Sequence, residues 1–195
     1  MEHWQAWAHA GQVAPDGAWR TWVLMAGRGF GKTRAGAEWV LEAVREARRG
    51  QPGSPIHPPA DGLPPGDMIG EELRIALVAA TVDEARRVMV EGPSGLLACA
   101  REGEIAEWAP SRRELVWAGG AVATLYSGAN PESLRGPQHH FASCDELAKW
   151  RHAEAAWDML QLGLRCGERT RALVTTTPRA GARRWRGSSR RRGRC

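Results

Sequence analysis

Residues 22–33 contain the residue types of a phosphate-binding loop. A short apolar run ending at Met25 is followed by glycines at alternate positions and then by Lys32 and Thr33. Glycines let successive backbone N–H groups turn toward an anion, and a following helix adds the positive end of its dipole. In such loops the lysine amine reaches the β- and γ-phosphates and the hydroxyl is a ligand of Mg²⁺. The stretch therefore predicts a site for ATP and Mg²⁺.

The loop departs from the usual pattern G-x-x-x-x-G-K-[ST] at its first position, which is Ala26. Alanine is acceptable there if its backbone keeps a negative φ. The residues predicted to bind nucleotide are Ala26, Gly27, Arg28, Gly29, Phe30, Gly31, Lys32 and Thr33. The alternative is a glycine-rich turn before an ordinary helix. Upstream residues could cover the adenine, the candidates being Gln5, Gln12, Trp19 and Arg20, or the tryptophans there could simply pack on the core.

An acidic pair lies about 110 residues further along the chain and supplies the second half of a nucleoside-triphosphatase site. Asp145 and Glu146 follow a predicted buried strand at residues 141–144. Asp145 would hold Mg²⁺ through its water shell, opposite Thr33, and Glu146 would orient and polarise the attacking water. Acidic pairs also cap helices, so this pair indicates a nucleotide site only in combination with the glycine-rich loop that precedes it. The predicted catalytic residues are Glu146, Lys32 and Arg28.

Three threonines, Thr175, Thr176 and Thr177, end a further predicted strand before Pro178. In ATPases of this class a strand lies between the loop strand and the acidic strand, and a polar side chain at its tip can sense the γ-phosphate. The threonines fit that place, or they cap a turn.

Two arginines are candidates for stabilising charge on the γ-phosphoryl group, as a guanidinium finger does. Arg28 lies inside the loop and would act from the same chain, or it forms a surface salt bridge. Arg135 lies in the predicted loop at residues 130–136, and it is either a second finger or a contact to substrate or to a neighbouring subunit.

The elements around these motifs predict an α/β domain with a mostly parallel central sheet. The clearest helix spans residues 32–49, because Ala37, Val40, Leu41 and Val44 recur at helical spacing. A second helix is predicted at residues 151–165, with Ala155, Ala156, Met159 and Leu160 facing inward. Other predicted segments are a strand at 73–80, a helix from Thr81 interrupted at Gly92, a short helix at 94–101, an edge meander at 104–108, 113–117 and 121–126, a last strand at 171–177 and an exposed loop at 51–70.

The net charge of +5 over 195 residues is concentrated at the C-terminal end. Seven of the 27 basic residues are arginines within residues 181–195, which leaves 20 basic against 22 acidic residues in the rest of the chain. The four cysteines have no C-x-x-C spacing and favour reduced thiols. No apolar run approaches the roughly 20 residues of a membrane span, so we expect a soluble, cytoplasmic protein.

Four segments in the same order resemble the large terminase subunit of tailed phages: residues 22–39, 131–138, 145–150 and 175–179. The resemblance covers about residues 4–180 and is closest to the form found in prophages and gene-transfer-agent clusters. Such proteins are ATP-driven motors that thread double-stranded DNA into a preformed capsid. The resemblance implies a P-loop NTPase fold of the ASCE type, a homo-oligomeric ring in the bacterial cytoplasm, and a portal protein and small terminase subunit as partners.

The resemblance also assigns roles to positions already singled out. The Walker A positions of the family match Arg28, Lys32 and Thr33. Its Walker B aspartate and catalytic carboxylate match Asp145 and Glu146, and its coupling motif matches the three threonines.

The resemblance implies two domains that this sequence does not fully supply. We expect residues 1–180 to correspond to the ATPase domain, without one further strand of its sheet, and we expect no nuclease domain. Residues 181–195 form an Arg-rich, low-complexity tail that we expect to be disordered, either as a basic arm on DNA or as a frameshifted end. The alternative functions are an inactive remnant that binds nucleotide weakly and another P-loop DNA-translocating ATPase.

Overall fold

The fold is taken from a computed structural model, which describes residues 4–49, 73–167 and 169–178. The predicted loop at 51–70 and the Arg-rich tail at 181–195 lie outside the described residues, as does the side chain of Gln5.

The described residues form one sheet of seven strands. The strands are β1 (Thr21–Met25), β2 (Arg74–Ala79), β3 (Ile105–Ala109), β4 (Glu114–Trp117), β5 (Val122–Ser127), β6 (Phe141–Cys144) and β7 (Arg171–Thr176). Their order in the sheet is β1-β7-β6-β2-β5-β4-β3. The first five strands of this order are parallel, and β4 and β3 extend the sheet in antiparallel pairing. The predicted fold class, a mostly parallel sheet with a small antiparallel edge, is confirmed.

Helices flank the sheet where the sequence periodicity predicts them. They are α1 (Trp4–Trp7), α2 (Lys32–Arg49), α3 (Val82–Glu84), α4 (Leu96–Cys99) and α5 (Ala153–Gly163). Thr81 caps α3 by accepting a hydrogen bond from the Glu84 N–H. The next residues, Ala85–Val90, continue as a π-helix, which the apolar pattern did not predict.

The apolar side chains form a layer on each side of the sheet. Along β2 the alternation of a strand sends Ile75 and Leu77 to the layer beneath α2, and Ala76 and Val78 to the layer beneath α5. The face of α2 predicted from its periodicity is buried, with Leu41 1% exposed. Burial of a side chain of that size contributes about 2 kcal/mol.

One prediction for α5 was wrong, because Ala155 is exposed. The helix packs along the line of Ala156, Leu160 and Gly163, whose spacing of four and three residues leaves Ala155 on the outer side.

The strand order places three functional segments side by side. Strand β7 lies between β1, which leads into the glycine-rich loop, and β6, which leads into the acidic pair. Because these three strands are parallel, their carboxyl ends open on the same edge of the sheet, where α/β proteins bind ligands.

Candidate active site

The glycine-rich loop joins β1 to α2, and its backbone matches the predicted turn. Gly29 and Gly31 have φ of +78° and +82°, the left-handed region that favours glycine. Among the described non-glycine residues only Arg113 and Glu146 have positive φ, so Ala26 meets the condition set for it. The Ala26 N–H donates to the Thr176 carbonyl at 3.2 Å, which ties the loop to the end of β7.

Lys32 folds back over its own loop toward the acidic pair. Its amine donates to the carbonyl oxygens of Ala26 and Gly27, both at 3.0 Å. The Nζ atom also lies 3.3 Å from Oε1 of Glu146, and the lysine is only 8% exposed. The loop and the acidic pair, 114 positions apart in the numbering, therefore meet at one ion pair.

Asp145 follows β6 and is mostly enclosed. Its N–H donates to the Val78 carbonyl at 2.8 Å, and its Oδ1 accepts the hydroxyl proton of Thr175 at 2.9 Å. Burial raises the pKa of Asp145, and the Thr175 hydrogen bond opposes that rise only partly.

Glu146 adopts a left-handed backbone with φ 48° and ψ 53°. Its carboxylate accepts two hydrogen bonds from Thr177, at 2.6 Å from the hydroxyl and 3.1 Å from the N–H. Burial acts to raise its pKa, but the bonds from Thr177 and Lys32 outweigh it and lower the pKa. Glu146 is therefore held as a carboxylate, whereas burial favours the neutral form of its neighbour Asp145.

A small cavity between α2 and the sheet brings Thr33 and Asp145 together. Ser143 and Thr175 also line it. The helix approaches β6 closely at Gly36, where an added Cβ would lie 3.4 Å from the Ser143 hydroxyl. The two predicted magnesium ligands thus line the same small cavity, whose other walls are mostly apolar. Within the described part of the chain, no group of three or more His, Cys, Asp or Glu side chains could hold a metal ion.

Comparison with known proteins decides the family. Residues 23–183, most of the chain, match the family model of the T4likevirus-type terminase large subunit, N-terminal part. The chain belongs to this large-terminase family. No curated protein matches.

Solved terminases share the fold of this large-terminase chain. The large terminase of a thermophilic bacteriophage is 13% identical with a TM-score of 0.55, over 82% of this chain and 34% of that one. The ATPase domain of the Thermus phage P74-26 large terminase is 20% identical with a TM-score of 0.51, over 92% and 65% of the two chains. The chain thus spans about a third of the first protein and about two thirds of the second. The ASCE-type P-loop fold expected from the sequence is confirmed.

The two arginine candidates of this terminase chain have exposed side chains. Arg28 is exposed and has no hydrogen bond or ion pair to the other described residues. Arg135 is exposed as well, and its Nη1 atom lies 3.6 Å from Oε2 of Glu132, three residues earlier in the chain. Neither guanidinium contacts Lys32 or the acidic pair.

Two residues at the site have contacts that the sequence pattern did not reveal. The Gln12 amide accepts the His9 N–H and donates to the Phe30 carbonyl, so it is bound to the loop backbone. The indole N–H of Trp150 donates to the Asp145 carbonyl at 3.0 Å. The sequence suggested Gln12 only as a contact to adenine. No pattern in the sequence predicts that a tryptophan after an acidic pair will bind its backbone.

The described helices include none that is both long enough and apolar enough to cross a membrane.

Proposed function

We propose that this chain is the ATP-hydrolysing motor part of a phage-type large terminase, which couples Mg-dependent hydrolysis to translocation of double-stranded DNA into a procapsid. The observation that carries the proposal is the meeting of Lys32 and Glu146 at 3.3 Å, beside Thr33 and Asp145 on one cavity. Crystals of the thermophilic bacteriophage terminase were solved in complex with ADP and with ATP-gamma-S, which supports nucleotide binding by the same fold.

Nucleotide would bind where the loop backbone and the amino end of α2 point. Within the chain, the Lys32 amine contacts two loop carbonyls and Glu146. A triphosphate offers it stronger charged acceptors, so we expect the amine to move onto the β- and γ-phosphates. The N–H groups of residues 26–33 would complete the cradle.

Magnesium fits the oxygen donors of the cavity. Mg²⁺ prefers oxygen ligands and keeps several waters, so one hydroxyl and one carboxylate are an adequate protein contribution. Thr33 and Asp145 would hold it, and the bound ion would neutralise charge on the phosphates. A cation there would also favour the ionised form of Asp145, against the effect of burial.

Glu146 would orient the attacking water and accept its proton. Its lowered pKa keeps it ionised at neutral pH, as a base must be. Departure of Lys32 toward phosphate would remove one of its partners and leave Thr177 as the other.

The threonines at the end of β7 would couple the nucleotide to the rest of the motor. Thr175 bridges the Asp145 carboxylate and the Glu146 N–H, and Thr177 holds the Glu146 carboxylate. Arg28 and Arg135 would supply charge to the γ-phosphoryl group, Arg28 within the chain and Arg135 to its own or a neighbouring site.

The remaining proposals rest on family membership. The active form would be a ring of subunits in the host cytoplasm, working with the portal protein and the small terminase subunit. The Arg-rich residues 181–195 would either contact the DNA backbone or have no role in the motor.

Steady-state ATP hydrolysis with and without Mg²⁺ and DNA tests the proposal. We expect Lys32→Ala and Glu146→Gln each to lower kcat at least about 100-fold, as losses of a charge stabiliser and a general base do. Glu91→Gln, which changes an exposed glutamate that contacts Trp108 of the edge strand β3, is the matched control and should retain activity. Equal background turnover in all four proteins, with weak nucleotide binding, would instead identify an inactive remnant.

A further inference from the structure

The peptide bond between Asp145 and Glu146 is held at both of its polar groups. Its carbonyl, on Asp145, accepts the indole N–H of Trp150 at 3.0 Å. Its N–H, on Glu146, donates to the Thr175 hydroxyl at 3.1 Å. These two bonds fix the plane of the peptide, and with it the directions in which the two acidic side chains leave the backbone.

The backbone at this point is strained. Glu146 has φ 48°, a left-handed conformation that side chains with a Cβ disfavour. Such conformations persist where surrounding contacts over-determine them, and they concentrate at functional sites. The bonds from Trp150 and Thr175 are contacts of this kind.

Trp150 reaches the carbonyl because the chain turns back on itself. The 3₁₀ turn Leu147–Lys149 follows Glu146, and the backbone N–H of Trp150 donates to the Leu147 carbonyl at 3.1 Å. The indole is then buried, 5% exposed, against the end of β5. At Gly128 an added Cβ would lie 2.4 Å from the ring, so no side chain fits between them.

We propose that Trp150 is a positioning residue for hydrolysis, a role that rests on the proposed function. Its indole N–H holds the peptide that joins the magnesium ligand to the water-orienting glutamate. Without that bond the peptide can rotate and Glu146 can relax from the left-handed region. The carboxylate then spends less time in the geometry that Thr177 and Lys32 define. Binding of the phosphates, which depends on the loop, is not affected.

The test compares Trp150→Phe with Trp108→Phe. The first removes the indole N–H but keeps an aromatic ring on Gly128. The second removes an indole bond of the same kind, from Trp108 to Glu91 at 2.9 Å, remote from the site. For Trp150→Phe we expect kcat to fall about tenfold, as loss of one buried hydrogen bond predicts. The KM for ATP and the affinity for Mg-ADP should change less than about twofold, because uniform binding is retained. Trp108→Phe should match the unaltered chain.

Amide hydrogen exchange of residues 145–147, followed by mass spectrometry, separates this proposal from the proposed function. We expect exchange there to be about tenfold faster in Trp150→Phe and unchanged in Trp108→Phe, because local opening becomes easier. A kcat or an exchange rate equal to that of the control overturns the positioning role. If the unaltered chain hydrolyses no ATP, the proposed function fails, and exchange alone decides whether Trp150 holds the peptide.

A measurement on the unaltered protein covers the case in which Trp150→Phe does not fold. The indole N–H of Trp150 should exchange with deuterium much more slowly than that of Trp108 when both are followed by NMR. Equal rates would overturn the proposal, since they would mean that the bond to Asp145 opens as easily as an exposed one.

Discussion

Two carboxylate networks, each with a cation and a tryptophan indole, lie on opposite sides of β2 in the sheet. At the carboxyl end of β6, Lys32 pairs with Glu146 at 3.3 Å while an indole holds the adjoining peptide. Next to β3, Arg86 and the indole of Trp108 both donate to Glu91 at 2.9 Å. The first pair is 8% and 17% exposed, and the second is 49% and 30% exposed.

The comparison shows that burial, rather than the choice of residues, separates a site from a surface. Hydrogen bonds from Trp108 and Arg86 lower the pKa of Glu91. Because solvent and salt screen the charges there, that network contributes little to the free energy of unfolding. The contacts around Glu146 lie in a less polar medium, where each hydrogen bond is stronger and each unpaired polar group is more costly. There they hold a backbone conformation that would otherwise relax.

The largest expected difference concerns glycines in the two regions. Gly128→Ala would place a Cβ 2.4 Å from the Trp150 ring, and such overpacking should lower the free energy of unfolding by about 3 kcal/mol. Gly120, in the turn between β4 and β5, has φ +85° with no atom within 4 Å of an added Cβ. Gly120→Ala should therefore cost only the backbone strain, about 1 kcal/mol. Urea unfolding measures both, and equal losses would contradict the comparison.

A half-buried ion pair next to β3 should behave more like the site than like Glu91. Glu104 accepts two hydrogen bonds from Arg45, at 2.7 and 2.8 Å, and is 16% exposed. We expect Glu104→Gln to lower the free energy of unfolding by about 2 kcal/mol at neutral pH, since it weakens charge-assisted bonds. Glu91→Gln should give no resolvable change.

The pH dependence of this difference follows from the Glu104 pKa. Burial acts to raise it, but the Arg45 hydrogen bonds lower it on balance. A lowered pKa stabilises the fold above the unfolded value of about 4.3, and that contribution disappears as the pH falls through the folded pKa. The cost of Glu104→Gln should therefore shrink below about pH 4. A cost independent of pH would mean that the lost interaction is not ionic.

The smallest expected effect concerns a buried histidine just before the amino end of β6. His139 packs against Tyr126, and neither of its ring nitrogens has a hydrogen-bond partner among the described residues. Burial lowers its pKa from 6.5 to about 4. The unfolded chain therefore takes up a proton first as the pH falls below about 6.5, and stability decreases from there toward pH 4. Between about pH 7 and pH 5.5 this histidine should lower the free energy of unfolding by about 1 kcal/mol.

Replacement of the titrating ring tests this assignment. His139→Phe should remove that part of the pH dependence of urea unfolding, because phenylalanine binds no proton. If the variant and the unaltered chain lose stability in parallel over this range, His139 is not the group responsible.

Residue patterns were sufficient for the parts of the fold that depend on near neighbours. The boundaries of α2 follow from helical spacing and from the loop before it. The order of the motifs along the chain indicates that Lys32, Thr33 and the acidic pair belong to one nucleotide site. The left-handed glycines at 29 and 31 are also predictable, because a turn of this kind needs positive φ. The roles of these residues stay predictions until hydrolysis is measured.

Other features depend on contacts between residues far apart in sequence. The insertion of β7 between β1 and β6 could be expected only from the class of ATPase. The bonds of Thr175 and Thr177 to the acidic pair join residues 29 to 31 positions apart. The indole of Trp150 reaches Asp145 only because a 3₁₀ turn and Gly128 leave room for it.

The sequence by itself determined which groups could bind phosphate and magnesium, since glycines, a lysine, a hydroxyl and carboxylates have that chemistry in any surroundings. Only the tertiary structure decided how they are held. Burial raises the pKa of Asp145, whereas the bonds from Thr177 and Lys32 lower that of Glu146 against the effect of burial. Contacts from Thr175 and Trp150 also hold the strained peptide between the two acids. Both depend on what surrounds a residue in space, which its neighbours along the chain do not specify.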